Sequence, residues 1–158
     1  MEWNQVLEHP YLQDMPFKIE LNEWGKIVMS PASNLHGNLQ VRIAMRILQL
    51  MKTGEASAEV SILTSKNVKV ADVAWASAEF IGTHGFETPY LVAPEICVEI
   101  ISPGNTSAEM AEKKELYLAK GAKEVWLCAE NGEMEFFTYK GEINGSEICP
   151  AFPLNIRS

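Results

Sequence analysis

Hydrophobic residues recur along this chain with the two periods that distinguish helices from strands. Between residues 35 and 52 they return every three or four positions, which predicts a long amphipathic helix with one apolar face. A second helix is predicted over residues 107–120, between a serine that can cap it and a glycine that can end it. A short helix is expected over residues 4–9.

Runs rich in β-branched residues predict the strands. Residues 17–21 and 26–29 form a predicted hairpin. The run over residues 96–101 is almost wholly apolar, which is typical of a central strand buried on both faces. Glycine and proline punctuate residues 77–94, which are predicted to be a long loop. The remaining predicted strands cover residues 59–63, 68–75, 124–129 and 134–139.

The order of these elements predicts the fold class. Helices and strands are mixed along residues 1–158, which indicates a single α+β or mixed α/β domain with one central sheet. The strand–helix–strand unit between residues 95 and 129 should join two parallel strands through a crossover.

Charge and composition narrow the classes of function. The formal net charge of −8 argues against a protein that holds nucleic acid by bulk electrostatics, so any affinity for DNA should be weak and sensitive to salt. No apolar run reaches the roughly 18 residues of a membrane span, and the first residues lack the pattern of a signal peptide. The scattered Cys97, Cys128 and Cys149 are best explained as buried thiols. We therefore expect a cytoplasmic protein without a membrane partner.

Two acidic residues lie inside segments that should be buried. Asp72 belongs to the β-rich run 68–75, and Glu99 belongs to the apolar run 96–101. A carboxylate in such a strand is costly unless it is paired, hydrogen-bonded or bound to a metal. Mg²⁺ and Mn²⁺ take oxygen ligands, often one or two carboxylates with water and substrate phosphate. Asp72 and Glu99 therefore predict a Mg²⁺ or Mn²⁺ site, with the backbone carbonyl of Ile100 as a further ligand.

Lys113 is the predicted cationic partner of this acid pair. It lies on the helix that follows the Glu99 strand, so its side chain can fold back over the strand end. There it would orient an attacking water or offset negative charge on a phosphate. The residues alone leave other readings open. Asp72 can be a strand-end residue or an ion-pair partner, and Lys113 can be a solvated helix residue paired with Glu109.

Several segments of the chain resemble a known family. They are residues 94–103 (PEICVEIISP), residues 112–117 (EKKELY) and residues 124–127 (EVWL). Together they resemble the bacterial putative restriction endonuclease-like family, common in cyanobacteria, of the PD-(D/E)XK nuclease superfamily. Residues 19–31, followed by the long helix, are similar to the opening of that family. The resemblance covers roughly residues 17–153.

The resemblance implies a restriction-endonuclease-like core, which is a central mixed sheet flanked by helices. It also implies a metal-dependent endonuclease that hydrolyses DNA phosphodiester bonds through a metal-activated water. It implies that Asp72 and Glu99 bind the metal and that Glu20 is an additional acid of the site. The superfamily places its lysine two residues after the second acid, where this chain has Ile101. In this family the lysine is expected on the following helix, which matches Lys113.

This chain departs from the family pattern at a few positions. Ala71 stands where proline is usual, Glu109 stands where aspartate is common, and Cys128-Ala129 replaces Val-Asp. None of these changes removes an acid or lysine of the predicted site. His36 is similar in position to a family histidine, and we expect it to cap the long helix or to pack.

Other classes of function stay open. The net charge and the departures favour a catalytically inactive nuclease-fold interaction module, which would capture a protein partner without binding metal. A carboxylate-pair hydrolase would act on glycosides or esters without a metal. A homodimer is also considered, since aromatic residues offer it a contact surface. These residues are Trp3, Trp24, Phe80, Phe86 and Tyr90.

Overall fold

A computed structural model of the protein describes residues 1–15 and 17–158. The helices are α1 (Trp3–Glu8), α2 (Asn34–Leu50), α3 (Ala78–His84) and α4 (Ser107–Ala119). The strands are β1 (Phe17–Leu21), β2 (Ile27–Pro31), β3 (Glu55–Thr64), β4 (Asn67–Ala76), β5 (Ile96–Ile100), β6 (Glu124–Cys128), β7 (Met134–Thr138) and β8 (Gly141–Ile143).

Six of the strands form one mixed sheet with the order β3-β4-β5-β6-β7-β8. Strands β5 and β6 are parallel and are joined through α4, whereas the other neighbours are antiparallel. Strands β1 and β2 form a separate antiparallel hairpin, and β1 packs against β4. The predicted mixed sheet and the parallel unit around α4 are therefore confirmed.

Helices cover both faces of the sheet. On one face, α2 buries Leu39, Ile43 and Ile47 against strand residues that include Val98 and Trp126. On the other face, α3 and α4 supply residues to a second apolar cluster, among them Phe80, Met110 and Tyr117. Every residue of β5 is buried, as expected for an apolar strand at the centre of the sheet.

The predicted long loop over residues 77–94 is wrong in its first half, because α3 begins there. The Ser77 hydroxyl accepts the backbone N–H of Phe80 at 3.0 Å and caps this helix. Strand β3 likewise begins at Glu55, earlier than the predicted residue 59. Glycines at positions 82 and 85 favoured the loop prediction over α3, and the small and polar residues 55–58 concealed the start of β3.

The aromatic residues expected to form a contact surface are only partly available. Phe80 and Tyr90 are buried and pack edge to face, with ring centroids 5.1 Å apart. Phe86 and Trp24 are exposed. Phe80 and Tyr90 are therefore not available for a contact surface, and the homodimer stays a prediction.

Two bulk expectations can be compared with the structure. The three cysteines are free and buried, as predicted. Among the described residues, none of the helices combines the length and apolar character that crossing a membrane requires. The cytoplasmic location stays a prediction.

Glu124 is a buried acid whose role is structural. Its Oε2 accepts the indole N–H of Trp126 and the hydroxyl of Ser146, both at 2.7 Å. Its Oε1 accepts the backbone N–H groups of Glu147 and Ile148 at 2.7 and 2.9 Å. These four donors satisfy the carboxylate and tie the segment after β8 to β6.

Replacing Glu124 with glutamine should destabilise the fold. The amide NH₂ group would replace one carboxylate oxygen and face the donors that this oxygen now accepts, which would lose their partner. We therefore expect the free energy of unfolding to fall by about 3 kcal/mol. Urea denaturation would measure this change. The same substitution at the exposed Glu135 of β7 is the matched control and should change it by less than about 0.5 kcal/mol. Equal effects at both positions would contradict the assignment.

Candidate functional site

Strands β4 and β5 separate next to the two predicted metal ligands. Their paired part ends at Val73 and Val98, one residue before Asp72 and Glu99 are reached. Beyond that point, Asp72 Oδ2 accepts the backbone N–H of Ile100 at 2.7 Å, so a side chain replaces the missing backbone partner. Asp72 and Glu99 are nearly inaccessible, with 1% and 2% of their surface exposed.

On the side of β3, too, Asp72 lies outside the regular pairing of the sheet. The β3–β4 ladder skips Glu59 and Asp72, and Glu59 has a φ of 54°. The side-chain amide of Gln40 on α2 donates to the Asp72 carbonyl at 2.7 Å and to Glu59 Oε1 at 2.8 Å. A positive φ at a residue other than glycine is strained, and such strain is concentrated at functional sites.

Lys18 joins the two acids. Its Nζ lies 3.0 Å from Asp72 Oδ1 and 3.1 Å from Glu99 Oε2. Lys18 is not among the predicted site residues, although the sequence contains a signal for it. Alternate residues of a strand share a face, so the prediction that Glu20 reaches the site also placed Lys18 on that face of β1.

Lys113 forms the second link between acids. Its Nζ lies 2.8 Å from Glu20 Oε2 and 3.4 Å from Glu99 Oε1. Glu20 Oε2 also accepts the backbone N–H of Val70 at 2.7 Å, which fixes the hairpin against β4. The structure thus brings Glu20, Asp72, Glu99 and Lys113 into one cluster.

Ile100 meets this cluster through a different atom from the one predicted. Its backbone N–H contacts Asp72, whereas the prediction concerned its carbonyl as a metal ligand. That ligand role stays a prediction, as do the catalytic roles of the acids and of Lys113.

Two further side chains each contact one acid of the pair. The Tyr117 hydroxyl donates to Glu99 Oε1 at 2.7 Å, and His36 Nε2 lies 3.2 Å from Asp72 Oδ1. The expectation that His36 caps α2 or merely packs is wrong. Ser33 is the cap, since its hydroxyl accepts the backbone N–H of His36, while the histidine ring faces Asp72.

Electrostatics distinguish the two acids. Burial opposes ionisation of Asp72, but the hydrogen bond from His36 and the charge of Lys18 outweigh it and hold the pKa of Asp72 well below its usual range. Burial raises the pKa of Glu99, and the ammonium groups of Lys113 and Lys18 offset that effect only in part. Asp72 therefore stays ionised in acid, whereas Glu99 takes up a proton more readily.

The lysine and the third acid show how strongly the cluster is coupled. Burial opposes the charged form of Lys18, yet the nearby charges of Glu99 and Asp72 raise the pKa of Lys18 well above its usual range. Burial likewise opposes ionisation of Glu20, yet the charge of Lys113 lowers the pKa of Glu20. Each of these groups keeps its charge because its partners are present.

The donor set defines what metal this site could hold. Among the residues that the structure describes, no three histidine, cysteine, aspartate or glutamate side chains are arranged around one metal position. Asp72 and Glu99 provide hard carboxylate oxygens that converge on one point, the Lys18 ammonium. Two carboxylates suit Mg²⁺ or Mn²⁺, which complete their shells with water and substrate oxygens.

The contact between His36 and Asp72 should make stability depend on pH. Its hydrogen bond raises the pKa of His36 although burial lowers it. A group with a higher pKa in the folded state stabilises fully below its unfolded pKa, and that stabilisation disappears as pH rises through the folded pKa. The free energy of unfolding of the wild type should therefore exceed that of His36→Gln, and this difference should be larger at about pH 5.5 than at about pH 9.

Urea denaturation at the two pH values measures this difference. An NMR titration of the His36 ring supplies the control, because Asp72→Asn should lower the pKa of His36. A difference between wild type and His36→Gln that is the same at both pH values would contradict the assignment.

The chain is similar to known proteins over most of its length. The sequence model of the Uma2 family, described as "Putative restriction endonuclease", matches residues 3–150. The crystal structure of "a putative nuclease belonging to DUF820" from Anabaena variabilis superposes with a TM-score of 0.75 and 18% sequence identity, covering 96% of this chain and 94% of that chain. At this identity the likeness shows a common fold. No curated protein matched the sequence. Because the family model spans nearly the whole chain, this protein belongs to the Uma2 family of putative restriction endonucleases.

Proposed function

We propose that this protein is a divalent-metal-dependent nuclease that hydrolyses phosphodiester bonds of DNA. The observation that carries the proposal is the buried acid pair, because one oxygen of Asp72 and one of Glu99 lie 3.0 and 3.1 Å from a single cationic atom. Membership of a nuclease family supports the reaction class. Two acids that converge on one cation in a protein core are expensive to bury without a function or a permanent partner.

Asp72 and Glu99 would hold Mg²⁺ or Mn²⁺. A bound ion of this kind lowers the pKa of a water molecule and offsets negative charge on the phosphate. The hydrogen bond from Ile100 fixes the Asp72 carboxylate, and that from Tyr117 fixes the Glu99 carboxylate. Both acids are therefore oriented before any ligand arrives, which reduces the entropy lost on binding.

Lys113 would act on the substrate. Its ammonium group lies 2.8 Å from Glu20 and 3.4 Å from Glu99, so it is held beside the acid pair with 15% of its side chain exposed. From this position it can donate to a phosphate oxygen and offset the negative charge that develops during hydrolysis. Glu20 would be a positioning residue, since it contacts Lys113 and is itself fixed by the N–H of Val70.

Binding of DNA should be weak and sensitive to salt. The protein carries a net charge of −8. Lys66 pairs with Glu112, and the Lys69 ammonium donates to the Leu21 carbonyl at 3.1 Å, so both lysines already have partners within the protein. The remaining cationic groups would have to make the phosphate contacts, and because each contact releases counterions, the affinity should fall as the salt concentration rises.

The position of Lys18 favours a second candidate, the catalytically inactive interaction module. A lysine that stays between Asp72 and Glu99 permanently would balance the acids without a metal. The wild-type protein would then bind no Mn²⁺ and cleave no nucleic acid under any condition.

Substitution of either acid should abolish metal-dependent cleavage. We expect Asp72→Asn and Glu99→Gln each to lower the initial rate with Mg²⁺ or Mn²⁺ by at least about a hundredfold, since changes behind the direct ligands already cost 10–100-fold. The measurement uses supercoiled plasmid and a short duplex at low salt. The same substitution at the exposed Asp14 is the matched control and should leave the rate unchanged.

Circular dichroism must show that the variants are folded. Undiminished cleavage by Asp72→Asn would overturn the proposal. Activity on esters or glycosides that persists with a chelator would favour the carboxylate-pair hydrolase. Folded wild-type protein that neither binds Mn²⁺ nor cleaves would favour the interaction module.

A further inference from the structure

Each acid of the pair has one oxygen that is committed to an internal donor. Asp72 Oδ2 accepts the N–H of Ile100, and Glu99 Oε1 accepts the hydroxyl of Tyr117, both at 2.7 Å. The other two oxygens, Asp72 Oδ1 and Glu99 Oε2, are the ones that Lys18 contacts. The atoms best placed to share a metal ion are therefore the atoms that share the Lys18 ammonium.

The side chains around these oxygens are slightly more exposed than the acids themselves. Asp72 and Glu99 are 1% and 2% exposed, whereas Lys18 is 11% exposed. His36 and Lys113 flank it with 11% and 15% exposure. Lys18 is the only one of these three with a contact to both acids. A cation that bridges the two acids would therefore have to take the place of the Lys18 ammonium.

Lys18 can withdraw without opening the central sheet. It lies on β1, which belongs to the separate β1–β2 hairpin. Other contacts anchor this hairpin to β4. Glu20 accepts the N–H of Val70, and Lys69 donates to the Leu21 carbonyl. The flexible side chain of Lys18 can therefore leave the acids while the hairpin stays in place.

We propose that Lys18 and a divalent cation compete for one position between Asp72 and Glu99, so that Lys18 closes the metal site until it is displaced. This inference rests on the proposed function, because it concerns the same metal position. A Mg²⁺ ion lies about 2.0–2.1 Å from its ligand oxygens, which leaves no room for an ammonium group in the same gap. Like charges at this separation also repel strongly in a buried site.

Competition makes a direct prediction for metal binding. We expect Lys18→Met to bind one Mn²⁺ at least about tenfold more tightly than the wild type, because the competing ammonium is gone. Calorimetry with Mn²⁺ and the full chain measures this affinity. Adding Asp72→Asn to Lys18→Met should remove the gain. Lys26→Met is the matched control, since Lys26 is an exposed residue next to β2 of the same hairpin, and it should bind Mn²⁺ like the wild type.

A second control separates occupancy from general electrostatics. Lys113→Met removes the same charge beside Glu99, but Lys113 contacts Oε1 and has no contact with Asp72. If Lys18 occupies the metal position, Lys113→Met should gain clearly less affinity than Lys18→Met. An equal gain in both variants would overturn the inference, as would equal Mn²⁺ affinity in wild type and Lys18→Met.

Thermal unfolding supplies a second readout and guards against misfolding. Without metal, Lys18→Met should melt at a lower temperature than the wild type, and Mn²⁺ should raise its melting temperature by more than that of the wild type. If Lys18→Met does not fold, Lys18→Gln is measured instead, because its amide group can still donate to one acid. No Mn²⁺-induced shift in a folded variant would also overturn the inference.

The results distinguish this inference from the proposed function. Equal Mn²⁺ affinity in wild type and Lys18→Met, with cleavage of DNA by both, would refute the competition and leave the nuclease intact. Tighter Mn²⁺ binding by Lys18→Met, with no cleavage by any variant, would support the competition and refute the nuclease.

Discussion

Compensation of buried charge is the constraint on which the centre of this protein depends. Glu20, Asp72 and Glu99 are all buried, and the cations that balance them are Lys18 and Lys113. Removing one partner of a buried pair leaves an uncompensated charge, which is far more costly than losing a surface pair. The hairpin, the two central strands and α4 are therefore held together by the same contacts that form the candidate site.

The irregularity of the sheet is what gives these acids their arrangement. In a regular ladder, backbone groups would pair across β4 and β5, and the side chains would simply alternate between faces. Here the ladder ends at Val73 and Val98, and a carboxylate takes over one backbone hydrogen bond. On the other edge, Gln40 replaces a strand as the partner of the Asp72 carbonyl. The helix α2 thus completes an interrupted part of the sheet.

Glu124 shows that burial alone does not identify a functional acid. It is as inaccessible as Asp72 and also lies on a strand of the main sheet. Its four partners are neutral donors in fixed positions, and they leave no oxygen for a cation. Asp72 and Glu99 instead share the charged ammonium group of Lys18. The kind of partner, neutral donors for Glu124 and a charged side chain for Asp72 and Glu99, distinguishes the structural acid from the candidate ligands.

Local patterns in the sequence determined the layered mixed fold and singled out Asp72, Glu99 and Lys113. The spacing of apolar residues and the runs of β-branched residues are local features of the sequence. An acidic residue inside such a run can therefore be recognised without the structure. Only the tertiary structure placed Lys18 between the acids, because it lies 54 and 81 residues from them along the chain. Contacts of this length depend on how the hairpin docks on β4 and on where two strands part, and no local pattern encodes either.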